Sequence, residues 1–136
     1  MSKLVVDAST AVLLASMDSL PLGLARFQCV APPLMWSEAL STLVESAFRG
    51  VLPAIELDRA VDQLERLPIT AAGGDAEHRR RSLQIATTLG WAKSYDAEYV
   101  ALAQTLACPL LTVDARLVRG AGHLIDTIGP SALTES

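Results

Sequence analysis

The sequence predicts an α/β domain of three layers, in which helices cover both faces of a central parallel sheet. Short apolar runs such as Leu4–Val6 and Leu110–Val113 lack the alternation of a half-exposed strand, which indicates strands buried on both faces. These runs alternate along the chain with stretches of helical periodicity. Both runs stop at an aspartate, Asp7 and Asp114, and the carboxyl ends of parallel strands are where such folds bind ligands.

Length and composition limit the class of protein. The 136 residues fit one domain, residues 1–136, and a hydrophobic fraction of 51% excludes a disordered chain. No apolar run reaches the roughly 20 residues of a membrane helix, and the first strand leaves no room for a signal peptide, so we expect a cytoplasmic protein. Cys29 and Cys108 are isolated, which favours free thiols over a disulfide.

The first helix and the first two strands have clear signals. A strand is expected at Leu4–Val6, ending on Asp7. A helical pattern follows, for which Ser9 and Thr10 are suitable N-caps. The second strand is expected at Phe27–Val30.

Proline and glycine mark the boundaries in the middle of the chain. Pro33 is well placed for the first turn of a helix that runs to Phe48, and Gly50 supplies its stop. A further helix is strongest over Leu57–Leu67. Pro68–Thr70 then predicts a brief strand.

Two helices and two strands are expected in the second half. Asp75 caps a helix that ends near Gly90, and Ser94 is a plausible N-cap for the next helix. That helix carries Asp96 in its first turn, on the same face as Tyr99, Leu102 and Ala103. The strand before Asp114 follows, then a short helix and a last strand around Leu124–Ile125.

Four acids stand at element starts or ends that this topology brings together: Asp7, Glu38, Asp96 and Asp114. Carboxylates in one crevice repel each other, and a divalent cation offsets that cost. Oxygen ligands in this number suit Mg²⁺ or Mn²⁺ rather than zinc. The matching chemistry is metal-assisted hydrolysis of a phosphodiester.

Each acid taken alone has an ordinary structural interpretation. An aspartate at a helix N-terminus usually caps the helix, and a lone helical glutamate such as Glu38 is usually solvated. Three aspartates at strand ends or helix starts together with Glu38 favour a functional site. The sequence has no GxxxxGK[ST] loop, GxGxxG fingerprint or GxSxG elbow, which disfavours phosphate-cradle and serine-hydrolase chemistry.

Four segments resemble the successive motifs of PIN-domain nucleases, with the closest match to the VapC toxins of bacterial toxin–antitoxin pairs. The segments are Val5–Ser9, Pro33–Leu40, Tyr95–Ala103 and Leu111–Asp114. The resemblance implies a PIN-like α/β/α fold and an endoribonuclease that depends on Mg²⁺ or Mn²⁺. It also implies a homodimer that a cognate antitoxin protein inhibits.

The resemblance also implies roles for particular residues. Asp7, Asp96 and Asp114 would be the main metal carboxylates, with Glu38 acting through water. Ser9 or Thr112 would orient the site by hydrogen bonds. Ser41 stands where relatives often have asparagine, which puts one supporting contact in doubt but not the metal.

Other polar residues are weaker candidates. Arg116, two residues after Asp114, is well placed to contact substrate phosphate, whereas Arg79–Arg81 fit a solvated face. Glu45 fits a solvated position, and Glu98 points away from Asp96. His78 and His123 have no sequence partner that would make either a general base.

The apolar residues outside the core pattern indicate contacts with a partner. Trp36 and Trp91 fit the core or an interface better than a base-stacking surface. Leu34, Leu40 and Phe48 exceed what one helix face buries, which indicates a dimer or antitoxin surface.

Three alternatives stay open at this stage. A nuclease acting on DNA fits the same acids, because nothing in the sequence shows recognition of the 2′-hydroxyl. A catalytically silent protein-binding module also fits the fold. A phosphoacceptor domain fits less well, because it expects an acid pair at the first strand and a late lysine, where this chain has a single Asp7 and Ala115-Arg116.

Overall fold

The computed structural model describes residues 1–91 and 94–134. Five strands in this part of the chain form one parallel sheet in the order β3-β2-β1-β4-β5. The strands are β1 (Ser2–Val6), β2 (Phe27–Ala31), β3 (Ile69–Ala71), β4 (Leu110–Leu111) and β5 (Thr127–Ile128). The expected strands at the start of the chain, before Pro32, after Pro68 and before Asp114 are confirmed.

Six α-helices within the described residues connect and follow these strands. They are α1 (Ala8–Ala15), α2 (Leu34–Phe48), α3 (Leu57–Arg66), α4 (Ala76–Leu89), α5 (Tyr95–Leu106) and α6 (Ala115–Ala121). Short 3-10 turns occupy Leu22–Arg26, Ala54–Glu56 and Pro130–Leu133. Gly90 ends α4 in the left-handed conformation with φ of 70°, a conformation that glycine adopts without steric cost.

The strand order creates a switch point between β1 and β4. The chain runs outward from β1 through β2 to β3, then returns to β4 on the other side of β1 and continues to β5. Right-handed crossovers therefore place α1–α3 on one face and α4–α6 on the other. This is the expected three-layer α/β/α arrangement, and a crevice opens where the two directions diverge.

The core lies on both faces of the central strands. Leu4, Val5 and Val6 of β1 and both residues of β4 are fully buried. Helix α5 is also buried along most of its length, from Ala97 to Ala103 except Glu98. The sheet and α5 therefore form the rigid centre from which the strand ends project.

The N-cap of α1 differs from the expectation. Ser9 and Thr10 lie inside the helix, and Asp7 is the cap: its Oδ1 accepts a hydrogen bond of 3.0 Å from the backbone N–H of Thr10. The strand delivers Asp7 in an extended conformation directly before the helix, so its carboxylate reaches the first turn before Ser9 or Thr10 can.

Two expectations in the second half also need correction. Ser94 occupies the N-cap position of α5, but its side chain makes no capping hydrogen bond. The last strand is Thr127–Ile128, not Leu124–Ile125, because the N–H groups of Leu124 and Ile125 both bond the Ala121 carbonyl in the turn that closes α6. Ile125 is buried as an anchor of that turn.

Candidate active site

The switch point brings Asp7 and Asp114 to the same edge of the sheet. Asp7 follows β1 directly and is buried, and Asp114 follows β4 after two residues and is half-buried. Each aspartate caps the helix that comes next, α1 for Asp7 and α6 for Asp114. A helix N-terminus favours negative charge, so each carboxylate is stabilised by the backbone that follows it.

Thr112 joins the two aspartates. Its buried hydroxyl donates a hydrogen bond of 2.5 Å to Oδ2 of Asp7 and accepts one of 3.0 Å from the backbone N–H of Asp114. Thr10 acts in parallel, because its hydroxyl accepts from the N–H of Val113 at 3.1 Å. The segment after β4 is therefore fixed to the start of α1, and Asp7 cannot rotate freely.

The Asp7 carboxyl is hard to ionise in spite of these bonds. Burial is the main effect that raises its pKa, and the charge of Asp114 raises it further. Hydrogen bonds from Thr10 and Thr112 act in the other direction without cancelling the rise. A nearby cation would favour the ionised form.

Glu38 reaches the same crevice from α2. Tyr99, buried in α5, donates a hydrogen bond of 2.6 Å from its hydroxyl to Oε1 of Glu38. Partial burial raises the pKa of Glu38, and the charges of Asp96 and Asp7 add to that rise. The pKa of Tyr99 is also raised, by burial and by the carboxylate that it contacts, so the phenol stays a donor.

Asp96 completes the group from the first turn of α5. Its side chain is half-buried, and partial burial raises its pKa. The charges of Asp114 and Asp7 raise it further, while Arg116 lowers it. The neighbours that perturb Asp96 are therefore the other predicted site residues.

Asp114 is the exception among the four acids. Partial burial acts to raise its pKa, but hydrogen bonds and charge from Arg116 outweigh this and the net shift is downward. Oδ1 accepts from the Arg116 N–H at 2.9 Å, and Oδ2 lies 3.3 Å from Nη2 of the same residue. Arg116 therefore faces the acids as a counter-charge.

All four carboxylates line one cavity of about 420 Å³. Ser9 is also in its wall, with its hydroxyl 3.4 Å from Oδ1 of Asp7. Further lining comes from exposed or hydroxyl-bearing side chains: Ser41, Thr42, Glu45, Tyr95 and Tyr99. Glu45 is exposed and lies 3.6 Å from Arg49, so it borders the cavity without joining the four acids.

The four carboxylates of the crevice are oxygen ligands of the kind that a hard divalent cation prefers. Four carboxylates face one crevice, and three of them have raised pKa values that a cation would reverse. Within residues 1–91 and 94–134, no three acidic, histidine or cysteine side chains already form a group that could hold a metal ion. Thr112, Tyr99 and Arg116 contact the carboxylates instead, so binding requires side-chain adjustment.

The other polar candidates have structural roles. His78 is buried, with Nδ1 accepting from the Gly74 N–H at 3.0 Å and Nε2 2.9 Å from the Glu98 carbonyl. Nδ1 therefore fixes the loop before α4, and Nε2 joins α4 to α5. Arg79 donates to the Gly74 carbonyl, and Arg81 donates to Gln104. Neither histidine lines the crevice, and Cys29 and Cys108 are free thiols.

Sequence reasoning missed Tyr99 and Tyr95 as site residues. Tyr95 comes directly before Asp96, and Tyr99 comes three residues after it on the same helix. Helical spacing puts Tyr99 on the face that packs on the core, which by itself indicates only a core residue. The signal that could have found it is a tyrosine on the buried face that also carries the aspartate, because a buried phenol needs a partner.

Comparison with known proteins identifies the family of this chain. The family model of the PIN domain matches residues 4–122. Two curated relatives, both named Ribonuclease VapC3 and from two strains of Mycobacterium tuberculosis, are 34% identical to this chain, and the alignment covers 86% of this chain and 86% of theirs.

A solved structure shares the fold. The crystal structure of PAE2754 from Pyrobaculum aerophilum superimposes with a TM-score of 0.76 at 21% identity, covering 98% of this chain and 94% of that chain. The match extends over the whole α/β/α arrangement around the acidic crevice. This chain belongs to the PIN-domain family and, within it, to the VapC-type proteins.

Proposed function

We propose that this protein is a metal-dependent endoribonuclease that hydrolyses RNA phosphodiester bonds and acts as the toxin of a toxin–antitoxin pair. One observation carries the proposal: Asp7, Glu38, Asp96 and Asp114 converge in a single crevice at the switch point of the sheet. The relatives named Ribonuclease VapC3 support RNA as the substrate.

Asp7, Asp96 and Asp114 would hold Mg²⁺ or Mn²⁺, with Glu38 contributing directly or through water. The ion would lower the pKa of a bound water and stabilise the negative charge on the departing oxygen. Thr112 fixes the orientation of Asp7, and Ser9 contacts the same carboxylate. Tyr99 fixes Glu38, so Asp7 and Glu38 are oriented before substrate binds.

The charge balance explains why a cation is needed for a polyanionic substrate. The chain carries a net charge of −4, and the four acids add repulsion where a phosphate must enter. Arg116 borders the crevice with a side chain that is 78% exposed, so it can contact a phosphate without leaving a buried position. We assign Arg116 to substrate binding.

We also propose a homodimer and an antitoxin partner. Leu40, Val44 and Phe48 lie four residues apart on α2 and are all exposed, Phe48 to 92%. This spacing forms an apolar stripe along the helix, and Val51 and Ile55, after its end, are exposed as well. The stripe fits a second copy of the chain, and the antitoxin would cover an adjoining surface.

We place the protein in the cytoplasm, where RNA is found and free thiols persist. No helix in the described part of the chain is both long and apolar enough to cross a membrane.

The test is cleavage of labelled single-stranded RNA by the purified protein. We expect cutting with Mg²⁺ or Mn²⁺, none with EDTA, and none of single-stranded DNA of the same sequence. Equal cutting of DNA would contradict RNA specificity. Intact RNA in every metal, across a set of unrelated sequences and total cellular RNA, would favour a silent binding module instead.

A further inference from the structure

A second cavity adjoins the acidic crevice beside the first turns of α5 and α6. Its volume is about 600 Å³. Glu38, Tyr95 and Asp96 line both cavities, so the two form one continuous groove. Beyond the acids, the second cavity is lined by Gly90, Trp91, Arg116 and Leu117.

Two aromatic side chains face this cavity in a chain that has only six aromatic residues. Tyr95 directly precedes Asp96 and is 53% exposed, so a large ring area is open beside the acids. Trp91 is half-buried and packs on the core, and a Cβ added at Gly120 would lie 3.1 Å from Cζ2 of its ring. Gly120 therefore leaves the space that the indole occupies, and Trp91 is a fixed wall.

We propose that this cavity is a nucleobase subsite, in which the base of a nucleotide next to the cleaved phosphodiester stacks on Tyr95. The inference rests on the proposed ribonuclease function and adds the residue that holds the base. The occupant is single-stranded RNA, because a paired base does not present its face to a side chain.

The chemistry of the groove supports this occupant. The acids lie at one end, where the reacting phosphate must sit, and Tyr95 lies immediately beside them. Arg116 borders the same groove with an exposed guanidinium suited to a phosphate oxygen. Stacking does not depend on net charge, so it gives an acidic protein a way to hold RNA that does not require a basic surface.

The experiment measures binding rather than cleavage. The protein carries Asp7→Asn to block hydrolysis, and the probe is a fluorescein-labelled single-stranded RNA decamer with an abasic nucleotide at each position in turn. Tyr95→Ala tests loss of the ring, and Tyr95→Phe retains it. Leu83→Ala is the matched control, since Leu83 is 63% exposed on α4 and lines neither cavity.

We expect Tyr95→Ala to weaken binding of the intact decamer by roughly ten- to hundredfold, the range for loss of one stacked base, while Tyr95→Phe and Leu83→Ala bind as before. One abasic position should cause a similar loss, and Tyr95→Ala should add nothing to it, because both remove the same contact. Unchanged binding by Tyr95→Ala would contradict the subsite, and so would losses of affinity from Tyr95→Ala and from the abasic nucleotide that add at every position. Either result would leave the proposed ribonuclease function unaffected. If the Asp7→Asn protein that retains Tyr95 binds no decamer, the result counts against both the nucleobase subsite and the ribonuclease function.

Discussion

Replacing Thr112 with valine tests whether the link between Asp7 and Asp114 holds the site together. Valine keeps the shape of threonine, so the buried position is not emptied. The change removes the hydroxyl that donates to Oδ2 of Asp7 at 2.5 Å and accepts from the Asp114 N–H at 3.0 Å. Thr112→Ser keeps the hydroxyl and loses only a methyl group, which makes it the matched control.

The loss follows from the two bonds. A hydrogen bond to a charged carboxylate contributes about 1.5–3 kcal/mol and one from a backbone N–H about 1 kcal/mol. Thr112→Val should therefore lower the free energy of unfolding at pH 7 by roughly 2–4 kcal/mol, seen in urea as a midpoint lower by about 1–2 M.

The pH dependence gives a second signature. The Thr112 hydroxyl lowers the pKa of Asp7, so its contribution is present while Asp7 is ionised and is lost as the pH falls and the carboxyl takes up a proton. The stability gap between Thr112→Val and Thr112→Ser should narrow in acid. Equal midpoints for the two variants at pH 7, or a gap that does not change with pH, would refute the reasoning.

Three further predictions concern single residues. Burial, and then the charges of Asp114 and Asp7, raise the pKa of Asp96, so this carboxyl favours the folded state when protonated and loses that contribution as the pH rises through the raised value. Asp96→Asn should therefore be more stable than the unsubstituted metal-free protein at pH 7, by an amount that solvent screening of this half-exposed side chain keeps small. A lower urea midpoint for the variant would contradict this. Tyr99→Phe removes the hydroxyl that donates the 2.6 Å hydrogen bond to Glu38. The variant should stay folded and cleave RNA about tenfold more slowly in the presence of metal. An unchanged rate would show that the phenol does not position Glu38. Phe48→Asp should yield a folded monomer in sedimentation velocity. Because Phe48 is 92% exposed, the free energy of unfolding should change by less than about 0.5 kcal/mol. A variant that is still a dimer would place the interface elsewhere.

Apolar runs and capping residues in the sequence predict much of the fold. The apolar run Leu4–Val6 predicted a buried central strand, and it is fully buried in β1. Asp75 and Gly90 bracket α4 as capping rules predict. The sequence also predicts the proximity of Asp7 and Asp114, because parallel strands bring their carboxyl ends to one edge of the sheet.

Other features depend on tertiary contacts that sequence spacing does not carry. The sequence predicts the last strand around Leu124–Ile125, but the strand that pairs with β4 is Thr127–Ile128. Ser9 and Thr10 have high N-cap propensity, yet Asp7 takes the cap because the strand ends on it. The Thr112 link to Asp7 spans 105 positions, and the Tyr99 bond to Glu38 spans 61, so neither has a local signal.

The charge of the site also became clear only from the structure. In sequence, Arg116 is a cation two residues after Asp114 that could contact phosphate. In the fold it lies 3.3 Å from Oδ2 of Asp114 and lowers the pKa of both Asp114 and Asp96.

The most direct test of the four-carboxylate site is the rate of Mn²⁺-dependent RNA cleavage by Asp114→Asn beside Asp62→Asn. Asp62 is an exposed aspartate on α3 outside both cavities, so the two proteins have the same net charge. We predict that Asp114→Asn loses at least about a hundredfold in rate and that Asp62→Asn cleaves like the unsubstituted protein, both remaining folded by circular dichroism. Equal rates for the two variants would contradict the account, because the RNA would then be cut at a site that does not include Asp114.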